Sequence, residues 1–201
     1  MDRDIQDLFK EKNRDILITN LKYDLDKNIG SLMETITNIF NLEFDTAIIK
    51  MEAILLDSGI DDSKKFLTKT LNNMKLDSFK TLDKLINSKK NKVLEGIETL
   101  TFEQDDMDKY YDLVLKTTKD LKEELSKDID TILEEDNRII DEYADISELT
   151  NTRLEEYLTN RLYGKLETKI HMEIMLRDNN LINKAKEGYL RYQEICEKTM
   201  N

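Results

Sequence analysis

Residues 107–146 read MDKYYDLVLKTTKDLKEELSKDIDTILEEDNRIIDEYADI. Met107, Tyr111, Val114, Thr118, Leu121 and Leu125 alternate steps of four and three. Ile129, Ile132, Ile139, Tyr143 and Ile146 continue the series after one extra step of four, as in a stutter. Such spacing turns one stripe of an α-helix toward a partner; a strand would alternate with a period of two. The stretch holds neither glycine nor proline. Just before it, Thr101-Phe102-Glu103-Gln104 reads as a capping box, so the longest helix is expected to run from about residue 102 to 147.

The same period extends outward. Ile18, Leu21, Leu25, Leu32, Ile36 and Ile39 form one stripe, with Gly30 as a weak point where the helix can bend. Phe44, Ala47, Ile48, Met51, Ile54 and Leu55 form the next. It ends at Ser58-Gly59-Ile60, a C-cap with glycine at C′, and Asp61-Asp62-Ser63 is placed to cap the following helix. Phe66, Leu67, Leu71 and Met74 lead to a softer interruption at Asp77-Ser78, then Phe79, Leu82, Ile86, Val93, Ile97 and Leu100. Downstream, Thr152-Arg153-Leu154-Glu155 is a second capping box. Leu154, Leu158, Leu162, Leu166 and Ile170 follow in steps of four, so their stripe drifts around a helix. Met172, Ile174, Met175 and Leu176 are expected to be buried on more than one side. Asp178-Asn179-Asn180 reads as a break before a last seam of Ile182, Ala185, Tyr189, Tyr192 and Cys196.

Composition agrees. The 201 residues contain no proline and five glycines, whereas average usage gives about ten prolines in such a chain. Sandwiches and barrels, which need turn residues, are excluded. Phe, Tyr, Met, Ile, Asn and Lys outnumber Gly, Ala, Arg and Pro by 83 to 16, the mark of AT-rich coding. The expected fold is all-α: an elongated bundle of about five to seven helices, long, antiparallel and packed like a coiled coil. It is read as one all-helical domain over 1–201, with sub-units at 1–59, 60–150 (a long hairpin) and 151–201.

The net charge of −12 is unevenly spread, with +3 over residues 59–100 and −11 over 101–150. Folded back as a hairpin, Lys80, Lys84, Lys89 and Lys90 are expected to approach the acidic face of 103–136.

Residues with chemical potential are few. His171 is the single histidine, with Glu167 one turn before it; one histidine cannot furnish a carboxylate di-iron site. Cys196 stands alone on a seam, so no disulfide within the chain is available. Asp24-x-Asp26-x-Asn28 resembles the start of a calcium loop, but Ile29 occupies the glycine position and Thr35 that of the bidentate glutamate. No phosphate loop or hydrolase motif stands in the chain. The lysine run from Lys64 to Lys92 contains no arginine, and the overall charge repels polyanions, so direct nucleic-acid binding is disfavoured.

No catalytic, metal or cofactor residue is therefore assigned. The expected function is a non-enzymatic helical interaction protein, a scaffold, adaptor or assembly component that meets protein partners or itself through apolar seams. A phage or mobile element of an AT-rich bacterium is the expected source. The alternative is an acidic inhibitor that binds a basic groove of a nucleic-acid enzyme. Its surface would carry Asp105, Asp106, Asp112, Asp120, Glu123, Glu124, Asp128, Glu134 and Glu135. The opening Met1-Asp2-Arg3-Asp4-Ile5 has no apolar leader core, and the longest charge-free stretch is Thr35 to Leu42. The expected location is the cytoplasm, or a particle assembled there, with no membrane contact.

Overall fold

The computed structural model describes residues 3–59, 63–101, 106–141 and 147–200, without the side chains of residues 3, 4, 63–67, 139 and 200. The described residues form helices and no strand: α1 (Arg3–Asp57), α2 (Ser63–Glu98), α3 (Asp106–Asp141), α4 (Glu148–Glu156) and α5 (Gly164–Met200). A π-helical stretch, Tyr157–Tyr163, joins α4 to α5 without a break. The protein is an all-α helical bundle.

Among the described residues the helices are longer than the sequence suggested. The longest is α1, at 55 residues, while α3 has 36. Gly30, Asp77-Ser78 and Asp178-Asn180 all lie inside continuous helices. Each carries weak helix formers, but propensity differences under about 1 kcal/mol per residue give way to a continuous apolar face. The stop at Gly59 is as expected: its φ is +77° and its N–H donates to the Leu56 carbonyl at 3.0 Å. The next cap falls largely on residues 60–62, outside the described residues, as does most of the capping box at 101–104. Thr152 is not a cap. α4 starts earlier, where the Ser147 side chain accepts from the Thr150 N–H.

The chain divides into two compact units. One comprises Met1–Leu32, Ile86–Leu121 and Ile174–Asn201, the other Met33–Leu85 and Lys122–Glu173. In the first, Lys22 pairs with Glu98 at 2.7 Å, Lys90 with Asp26, and Arg14 donates twice to the Leu100 carbonyl. Asp24 meets Lys184 and Asn28 donates to the Arg177 carbonyl. Numbers rise along α1 as they fall along α2 and α5, the register of antiparallel neighbours. Gly96 of α2 packs so closely on α3 that an added Cβ would lie 2.1 Å from Leu113 Cδ2. The core contains Leu21, Leu25, Ile86, Val93, Tyr110, Val114, Leu181 and Ala185.

In the second unit Phe40 stacks on Phe44 and meets Phe79 edge-on, each at 5.8 Å between ring centres. Phe44 in turn meets the Tyr163 ring edge-on at 6.4 Å. Leu154, Leu158, Leu162, Leu166 and Ile170 are all buried. Their four-residue steps would leave a regular α-helical face, and the π stretch explains why they do not. Its i→i+5 bonding takes more residues per turn, so residues four apart drift less. Met172, Met175 and Leu176, expected inside, are exposed; Ile170, Ile174 and Leu181 take the inner positions of α5.

Candidate interaction surfaces and buried polar clusters

In the second unit, α1 presents two apolar seams. The inner one, Phe40, Phe44, Ala47, Met51 and Leu55, is buried. The outer one is Ile39, Leu42, Thr46, Ile49, Ala53 and Leu56, in steps of three, four, three, four and three. At 100° per residue the two seams lie about 190° apart, so one helix cannot bury both against the same neighbours. Leu42, Ile49 and Leu56 are 62%, 65% and 63% exposed. A second apolar feature lies between α1 and α2, a cleft of about 420 Å³ with Phe40, Leu76 and Phe79 inside and Thr37, Asn41, Asn72, Asn73 and Lys75 around it.

The acidic residues singled out on α3 do not form one surface. In the first unit Asp112 is exposed and Asp120 half-buried, but Asp106 is fully buried, accepting from Thr101 Oγ1 and pairing with Lys109. In the second unit Glu123, Glu124, Glu134 and Glu135 are exposed and Asp128 is half-buried. Asp105 lies outside the described residues. Of the lysines expected to approach this face, Lys80 pairs with Asp77 of its own helix, Lys90 with Asp26, and Lys89 enters the core. Lys84 is exposed.

Lys89 is the main surprise. Its Nζ reaches both carboxylate oxygens of Asp178, at 2.8 and 2.6 Å, and Thr118 Oγ1 at 2.7 Å. Thr118 also hydrogen-bonds Asp178, so three helices meet at one buried polar knot. Burial pulls the lysine below its ordinary pKa, while the carboxylate pulls it back up. Tyr110 lies in the same unit, fully buried with no hydrogen bond to its hydroxyl, and burial followed by Asp178 pushes its pKa up. Nothing in the spacing announced this knot. Lys89 stood in a lysine-rich run, and Asp178 stood in a stretch that reads as a loop.

The second unit has its own buried acid. Asp136 accepts from the Tyr163 hydroxyl at 3.0 Å, and burial, stronger than that bond, raises its pKa to about 7. Glu43 is buried beside Lys169 and Lys165. His171 is half-buried with Nε2 unpartnered, and burial lowers its pKa against the opposing effect of Glu167. Cys196 is a buried free thiol. Asp24, Asp26 and Asn28 sit on continuous helix and turn to three different partners. Among the described residues no group of three or more His, Cys, Asp or Glu is gathered as metal ligands, and no helix is long and apolar enough to cross a membrane.

Comparisons with protein-family models, with curated proteins and with solved structures find no match for this chain.

Proposed function

We propose that the protein is a non-enzymatic helical interaction protein, a scaffold, adaptor or assembly component working in the cytoplasm, and that the outer seam of α1 is its docking face. The exposed heptad of Leu42, Ile49 and Leu56 carries this reading. Single exposed leucines are ordinary on protein surfaces, whereas three on one stripe at seven-residue spacing match the seam by which helices pair. Quantitative capture from cells tests it, with the wild-type chain beside a folded Leu42→Gln/Ile49→Gln variant. A partner held by the wild type and lost by the variant supports the reading. Identical retention by both overturns it, as does turnover of a metabolite that disappears when the Phe79 cleft is altered.

The exposed Glu123, Glu124, Glu134 and Glu135 favour a second reading, an acidic surface that occupies a basic groove of a nucleic-acid enzyme. Attraction between exposed charges is screened by salt, so affinity for such an enzyme should fall from low to high ionic strength. Affinity independent of salt would remove this reading.

A further inference from the structure

The cleft between α1 and α2 lies wholly within the second unit and has a volume of about 420 Å³. Small-molecule sites occupy about 300–1,000 Å³ and combine a mostly apolar wall with a few polar groups. The walls here are residues 37–41 of α1 and 72–79 of α2, about 11 Å of helix axis at most. A docked helix needs a seam several turns long, so this space suits a small molecule.

Phe40, Leu76 and Phe79 supply the apolar wall, and Leu76 is 53% exposed within it. The Phe40 and Phe79 rings meet edge to face at 5.8 Å, and Phe40 stacks on Phe44. A further flat ring extends such a cluster through offset or edge-on contact, whereas an alkyl chain gains burial alone.

Asn41, Asn72 and Asn73 bring three carboxamides and Lys75 one ammonium. Among the described residues none of these four side chains has a polar partner. Other asparagines are engaged: Asn13 donates to the Phe9 carbonyl, Asn28 to the Arg177 carbonyl and Asn151 to the Asp141 carboxylate. Two adjacent asparagines inside a helix sacrifice propensity, and here no bond within the protein offsets that. AT-rich coding supplies asparagine to the chain at large, but it does not gather three at one cleft. Lys75 is the single charge in the lining, and no acid joins it among the described residues. The cleft thus has the opposite sign to a chain of net charge −12. One lysine matches one negative charge; phosphates are better held by arginine forks or backbone nests, which this lining lacks.

We propose that the cleft binds a small aromatic carboxylate, its ring against Phe40, Leu76 and Phe79 and its carboxylate accepting from Lys75 Nζ and the asparagine amides. This site is separate from the outer seam of α1 and does not depend on the docking role given to that seam.

The test titrates the full chain with 1-naphthoate, 1-naphthylmethylamine and decanoate, following the asparagine side-chain signals in proton–nitrogen NMR spectra. Naphthoate should shift the Asn41, Asn72 and Asn73 amides and bind at least about tenfold more tightly than the amine at low salt. Lys75→Gln should remove that preference. Leu76→Gln, an exposed change checked by far-ultraviolet circular dichroism, should weaken naphthoate severalfold. Ile49→Gln/Leu56→Gln should leave binding unchanged, separating the cleft from the docking seam. No shift of these amides at millimolar naphthoate overturns the site. Equal binding of naphthoate and the amine, or a preference that survives Lys75→Gln, overturns the carboxylate. Decanoate binding as tightly as naphthoate overturns the aromatic ring. A dimer seen by light scattering that shields these amides places a second copy in the cleft and overturns the small molecule.

Discussion

Lys89 and Asp178 show what one buried charge requires. Both are within a few per cent of full burial, and each satisfies the other together with Thr118. Removing one partner strands a charge in the core, so Lys89→Met should cost about 3–5 kcal/mol in urea unfolding. Lys89→Met/Asp178→Leu should recover most of that loss, because apolar residues of similar volume can replace a buried pair. A double variant as unstable as the single one would argue against this account. Asp136 gives a pH signature. Its folded pKa of about 7 lies above the ordinary 3.8, so the folded state holds the proton more tightly than the unfolded chain. The resulting contribution to stability is full below pH 3.8 and fades as the pH climbs through 7. Unfolding midpoints measured across that window should fall with pH in the wild type and fall less in Asp136→Asn. None of the three could be identified from the sequence, since a lysine and two aspartates on charged helices look like surface residues until their neighbours are known.

The glycines separate local propensity from packing at the level of the helix. Gly30 is exposed and an added Cβ meets nothing within 4 Å, so Gly30→Ala should stabilise α1 by about 0.5–1 kcal/mol, read from the denaturation midpoint. Gly96→Ala gains the same propensity but drives a methyl to 2.1 Å from Leu113 Cδ2. It should therefore be less stable than Gly30→Ala, and a Leu113→Ala background should narrow the gap. The seams show a similar division. Steps of three and four identified helices throughout, but Tyr110 and Tyr111 both fit ahead of Val114. The fold buries Tyr110 and leaves Tyr111 partly exposed, with Lys186 5.7 Å from its ring centre. Along α1, Ile18 and Ile39 give way to Leu17 and Phe40 as the inward residues. A one-residue ambiguity in phase is inherent when apolar residues stand side by side, because only the neighbouring helices choose between them.

For the whole molecule, the charge of −12 opposes self-association. Light scattering at low salt should return a mass near 23.7 kDa. The helical class follows from residue order alone, because hydrophobic period, absent proline and a glycine stop at residue 59 act within a few turns of the chain and need no tertiary context. What each seam faces is different. The Lys89–Asp178 contact joins residues 89 positions apart, and the outer stripe of α1 is distinguished from the inner one only by which of them other helices cover. Burial and charge pairing depend on distant segments, so the sequence determined that this chain is built of helices, and the tertiary structure decided which seam was left open.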